Sequence, residues 1–355
     1  MAYKILYLED LDADSIKSDL NSFGFEVDTN KAGDFANVIE QFNNQYDAYI
    51  LDYELTANEG VVNAPTYAQT LRSKNAKIKH KDAPIIIISN DKNKTKIYED
   101  YTSQDLFDLS VTKEDFRKDL KKYTDIISSF IKSYELINSS KYDLKQILHL
   151  SDEKIKDNID YRFIEKFEIQ KNINDNAFGC CSLIYNSLVK SIGPLIGIDV
   201  LSARLGISRD STDWDRLLGI LDMYKYTGIF SEVYERWWMD DVLEWWNEIS
   251  MNKPLRRTPA ALRSKLISEA TKLDLKSIDP VQFYNSSNYW SICCSSKNAI
   301  DPSESYVISN FELQPWQENT YISHISLLNF PELQEKLTLI DRKDLREFQK
   351  SLKKE

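Results

Sequence analysis

The chain has 355 residues, 42% of them hydrophobic and 28% charged, with a formal net charge of −11. That length exceeds a single small core and predicts two or three domains. No stretch reaches the about 18 apolar residues that a membrane span requires, and the acidic balance disfavours general attraction to nucleic acid or anionic lipid.

In chain order, the opening MAYKILYLED lacks a basic segment followed by an apolar run, so no signal peptide is expected and the strand KILYL (4–8) starts almost at once. Further short apolar runs, rich in β-branched residues, occur at 48–51 (AYIL) and 84–88 (PIIII), and 106–111 (LFDLSV) reads as the last strand. Stretches 13–23 and 34–44 carry apolar residues at helical spacing. This alternation predicts an α/β fold: a doubly wound, five-stranded parallel sheet of flavodoxin-like type over residues 1–130. A helix over 114–137 closes it and continues through a connector, 131–145, with the seam near Asn138–Lys141.

Residues 146–250 read as a helical domain and 251–355 as a mixed α+β region, with a helix at 259–273 and a charged helix after Pro331. Short aromatic and β-branched runs lie at 281–294 and 305–313. The four cysteines form two adjacent pairs, Cys180-Cys181 and Cys293-Cys294, which cannot make a disulfide framework and suit a reducing cytoplasm.

Open parallel sheets bind ligands beyond the carboxyl ends of their strands. The residues placed there are Glu9 and Asp10 after the first strand, Asp52 after the third, Ser89 after the fourth and Lys113 after the fifth. Three converging carboxylates need a cation, and an all-oxygen set with an incomplete protein shell suits Mg2+. A carboxylate can also accept a phosphoryl group as a nucleophile, with Lys113 and the Ser89 hydroxyl serving its oxygens.

These pieces, ILYLED, YILDYEL, the Glu59-Gly60 turn, PIIIISN and SVTKEDF, together resemble the response-regulator receiver domains of two-component signalling. The resemblance implies that Asp52 is the phosphoacceptor and that Glu9, Asp10 and Asp52 hold magnesium with the backbone carbonyl of Glu54. It also implies a histidine-kinase-like ATPase as phosphodonor, and no chemistry beyond self-phosphorylation and dephosphorylation. The sequence departs from the pattern at Thr56, Ser110 and Glu114 and carries an apparent insertion at 74–83. None of these removes a catalytic group, but they point away from the usual aromatic switch.

The C-terminal two-thirds carries less. Residues 199–221 (DVLSARLGISRDSTDWDRLLGIL) look like helix–turn–helix text, with Gly206 at the turn, Ser208 as a cap and a second helix starting near Arg209. A transcriptional regulator would place that helix in a DNA major groove. Against this, residues 195–250 hold eleven acids and only five bases, Arg204, Arg209, Arg216, Lys225 and Arg236. Phosphate neutralisation dominates DNA affinity, so DNA is the disfavoured partner.

ERWWMDDVLEWW (235–246) holds Trp237, Trp238, Trp245 and Trp246, of which Trp238 and Trp245 are seven apart and Trp237 and Trp245 eight apart, spacings that share one helix face. Four tryptophans exceed what one face can bury, so some are expected to anchor a protein partner or a second copy of the chain. Residues 253–276 carry seven bases against two acids, which reads as a solvated helix face with an acidic surface or RNA as the functional alternative. Cys293, Cys294, Asp301 and His324 lack the regular spacing of a zinc site, and His80 and His149 sit on polar text. The expected protein is therefore a cytoplasmic, two-component-like regulator acting through protein contacts, the rivals being a DNA-binding regulator, an enzymatic effector with its active site in the C-terminal half and a phosphorylation-independent adaptor.

Overall fold

The computed structural model describes residues 2–11, 13–32, 35–42, 45–55, 63–73, 81–90, 106–173, 176–309 and 313–352. Thr56, the Glu59-Gly60 turn, His80 and most of the 74–83 stretch lie outside the described residues. The chain divides into two compact units. The first comprises Met1–Leu150, Ile164–Asn186 and Gly228–Val233, and the second Ser151–Phe163, Ser187–Thr227 and Tyr234–Glu355.

In the first unit, strands β1 (Lys4–Leu8), β2 (Glu26–Asn30), β3 (Ala48–Asp52), β4 (Ile85–Ser89) and β5 (Leu109–Thr112) form one parallel sheet in the order β2-β1-β3-β4-β5. Alternate residues point to opposite faces. On one side Leu6, Leu8, Tyr49, Leu51, Ile85 and Ile87 pack under α2 (Phe35–Gln41) and α3 (Ala64–Arg72). On the other Ile5, Tyr7, Ile50, Ile86 and Ile88 pack under α1 (Asp14–Ser22), α4 (Lys113–Lys118) and α5 (Leu120–Ser139). Burial on both faces is why β1, β3 and β4 read as unbroken apolar runs.

The edge strand β2, EVDTN, buries only Val27, which left it without a hydrophobic signal. The helix expected over 114–137 is two helices, because Asp119 leaves helical geometry at φ −135°, ψ 56°. A boundary at 130 would cut α5, whose Phe130, Ile131, Tyr134 and Ile137 are all buried in this unit. Phe130 meets Tyr185 and Phe230 with ring centroids 4.7 and 4.9 Å apart. A buried polar knot fastens the same region. Asp108 accepts from Arg72 Nη2 (2.6 Å), the Tyr134 hydroxyl (2.7 Å) and Ile85 N (2.7 Å). The Arg72 guanidinium lies 3.8 Å from the Phe178 ring centroid.

The second unit is helical, with small antiparallel ribbons such as Leu195–Ile196 with Trp237–Trp238 and Tyr306–Val307 with Tyr321–Ile322. One core runs from Ile196 through Leu273 and joins helices Ile198–Leu205, Trp214–Leu221, Met239–Ser250 and Ala260–Thr271. This core includes residues on both sides of the boundary expected at 250/251.

Candidate functional site

The strand order changes direction between β1 and β3, and the first strand-end acids belong to these two neighbours. Asp52 ends β3, in register with Ile88, and Ser89 ends β4, in register with Thr112. Lys113 follows immediately as the first residue of α4. Thr112 fixes that start, its hydroxyl accepting from Asp115 N at 3.0 Å as an N-cap.

Glu9, Asp52, Ser89 and Lys113 are all buried. One carboxylate oxygen each from Glu9, Asp10 and Asp52 lies within 4.8 Å of the others, the one such acidic or metal-ligating group among the described residues. Lys113 Nζ donates to both Glu9 Oε2 (2.6 Å) and Asp52 Oδ2 (2.7 Å). The Tyr7 hydroxyl donates to Glu9 Oε2 at 2.6 Å. Tyr7 escaped the sequence reading; its only signal is that it sits two residues before Glu9 and so shares a strand face with it.

Burial pushes the Asp52 carboxyl up to about 6, and Glu9 adds to the shift while Lys113 opposes it. Burial also works against ionised Glu9, but the hydrogen bonds from Lys113 and Tyr7 outweigh it and hold that carboxyl below its ordinary value. Three carboxylates against one ammonium leave an excess of negative charge in a water-poor cleft. The donor set, all oxygen and incomplete, fits magnesium. Glu54, whose carbonyl is the expected fourth protein ligand, follows two residues after Asp52 with an exposed side chain.

The four tryptophans are buried within the chain. Trp237, Trp238, Trp245 and Trp246 are 1%, 3%, 7% and 0% exposed. The helix begins only at Met239, so Trp237 and Trp238 sit in a ribbon rather than on a helix face, and two elements share the burial. The basic stretch is also not uniformly solvated. Arg263 is fully buried, donating to the carbonyls of Ala203 (3.2 Å), Tyr289 (2.9 Å), Ser287 (3.2 Å) and Arg204.

In the helix–turn–helix-like text, Gly206 does form the turn, at φ +69°, with the Ala260 Cα 2.7 Å from where a Cβ would stand. The next helix starts at Trp214 rather than near Arg209. Arg204 is buried, its guanidinium 4.3 Å from the Trp290 ring and paired with Glu318, while Arg209 pairs with Asp199. Cys293 contacts Ser326 Oγ (3.1 Å) and Ser323 N (3.4 Å) rather than a metal-ligand set, and all four cysteines are unbridged. Among the described residues no helix is long and apolar enough to cross a membrane.

No family model and no curated protein matches the chain. Similar solved structures include a response-regulator receiver domain from Methylobacillus flagellatus, at 21% identity over 32% of this chain and 87% of that one, with a TM-score of 0.25. Another is the response regulator TrrA of Thermotoga maritima in complex with Mg2+–BeF, at 26% identity over 34% and 97%, with a TM-score of 0.26. A third is the receiver domain of a sensor histidine kinase from Pseudomonas aeruginosa, with a magnesium ion coordinated in its active-site cleft. It matches at 19% identity over 37% and 99%, with a TM-score of 0.29. The C-terminal region is unmatched. By its strand order and its strand-end residues, the N-terminal part of this chain has a flavodoxin-like fold of the kind that receiver domains share.

Proposed function

We propose that the chain is a two-component-like signalling protein in which Asp52 accepts a phosphoryl group from a histidine-kinase-like ATPase. The observation that carries this reading is the convergence of Glu9, Asp10 and Asp52 with Lys113 bridging Asp52 and Glu9. In the transfer, an Asp52 oxygen forms the bond to phosphorus as the donor's leaving group departs with the bonding electron pair. Lys113 supplies positive charge to the phosphoryl oxygens, and the Ser89 hydroxyl donates to one of them. The carboxylates of Glu9, Asp10 and Asp52, with the Glu54 carbonyl, would hold Mg2+, which neutralises charge during the transfer.

Output through protein contacts fits the acidic character of residues 195–250 better than output through DNA. Four of the five bases in 195–250, Arg204, Arg209, Arg216 and Lys225, are paired with acids, which takes them from phosphate binding. Incubation with acetyl phosphate and Mg2+ should add one phosphoryl group by intact mass, and Asp52→Asn should abolish it. A wild-type chain that stays unmodified and does not bind beryllofluoride would favour the phosphorylation-independent adaptor.

A further inference from the structure

The second unit contains a pocket of about 540 Å³ that the phosphoacceptor chemistry does not use. Its walls include the rings of Phe283, Tyr306, His324 and Phe348. His324 is the hub. Its ring centroid lies 4.3 Å from that of Phe348, 5.5 Å from Phe283 and 6.2 Å from Tyr306, the first two edge-on. His324 is 4% exposed, and neither ring nitrogen has a hydrogen-bond partner among the described residues. Buried polar atoms in folded proteins are almost always paired, so the imidazole of this pocket-lining residue keeps hydrogen-bonding capacity that the described residues do not fill.

The charge around the pocket is of one sign. Glu304, Asp341 and Asp344 line it, and among the described residues no lysine or arginine does. Glu304 is held by the backbone N–H groups of Asn285 and Ser286, and Asp341 by Val307 N and the Thr338 hydroxyl. Asp344 makes no hydrogen bond among the described residues and is exposed at the mouth. The Tyr306 phenol is raised by burial and then by Asp344 and Asp341, which reports the negative potential inside. Phe283 is 44% exposed and takes φ +67°, a backbone that L side chains rarely adopt. Such strain gathers at ligand clamps.

We propose that this pocket binds an organic cation bearing an alkylammonium group, with the aromatic rings around the charge, Asp344 at its entrance and His324 accepting a hydrogen bond from its N–H. Aromatic faces attract ammonium ions through their quadrupole, most strongly where water is excluded. Burial holds His324 below its ordinary pKa and so in the neutral form, which keeps one ring nitrogen as an acceptor. The proposal is independent of phosphorylation at Asp52.

Proton NMR of the full chain tests it, since only three histidines contribute ring signals and His324→Gln assigns the one of interest. Butylammonium should shift the His324 signal saturably, and Nα-acetyl-lysine methylamide provides the same group attached to peptide. Tighter binding of the first supports a diffusible amine as ligand, and of the second a lysine side chain. Phe348→Leu should weaken the response about fivefold. Asp344→Asn, an exposed change that leaves the fold alone, should weaken it about twofold to threefold. Absence of a saturable shift with either amine, or an equal shift with butyrate, would overturn the proposal.

Discussion

Both units bury charge, but they balance it differently. In the second, Arg263 is surrounded by backbone carbonyls and Arg204 by Glu318, the Trp290 carbonyl and the Trp290 ring. Each of these hydrogen bonds and ion pairs comes from the chain itself, although Arg263 Nε keeps no partner among the described residues and Arg256 opposes the charge of Arg204. In the first, Glu9, Asp10 and Asp52 crowd together with a single ammonium shared by two of them. Burial of a charge therefore does not mark a functional site. An unbalanced group of buried charges does, because folding alone gains nothing from it.

The comparison can be broken most forcefully at Arg263. Burial pulls its guanidinium down to about 10, yet at neutral pH it stays charged and bonded. Arg263→Met should cost about 3 kcal/mol or more in urea unfolding, because several buried carbonyls lose a charged donor. A loss below about 1 kcal/mol would mean that these bonds are not structural.

Asp10→Asn should act in the opposite direction. In chelator it should raise the melting temperature by about 2–4 °C, the shift of roughly 1 kcal/mol in a unit of this size, and it should also remove stabilisation by magnesium. A mutant with the wild-type metal response would separate Asp10 from the site. Metal-free protein carries a pH signature too. The Asp52 carboxyl is raised to about 6, so the folded state binds the proton more tightly than the unfolded chain. Its contribution to stability is therefore lost as pH rises from the ordinary carboxylate range through about 6. Asp52→Asn should flatten that decline in thermal melts made in chelator.

Smaller effects sharpen the contrast. Tyr7→Phe removes one charge-assisted hydrogen bond to Glu9 and should cost about 1–2 kcal/mol. The exposed Lys121–Asp125 pair should be worth less than about 0.5 kcal/mol in a double-mutant cycle.

The N-terminal fold was legible because burial and chemistry coincide in its strands. KILYL and IIIIS announce central strands, and each is followed directly by a reactive residue. What stayed hidden depended on context rather than composition. EVDTN is polar because an edge strand needs only one apolar contact, and Asp119 breaks a helix that its neighbours' periodicity would continue. The tryptophan cluster misled for a related reason. Heptad spacing cannot reveal that Trp237 and Trp238 belong to a ribbon with Leu195–Ile196, a pairing set by residues some forty positions away. The His324 pocket was equally opaque, since its rings come from segments spread over residues 283–348.

The interleaving of the two units has a consequence for biosynthesis. The chain passes from one unit to the other at 150/151, 163/164, 186/187, 227/228 and 233/234. Domains usually fold as units, N-terminal first, while the ribosome still holds the remainder. Here the first unit cannot seat Phe230 against Phe130 and Tyr185 until residues 228–233 have been synthesised and cleared the exit tunnel. A nascent chain that already carries Glu9, Asp10, Asp52 and Lys113 thus still lacks part of the packing around Phe130, and the first unit completes itself only after residues 228–233 have emerged.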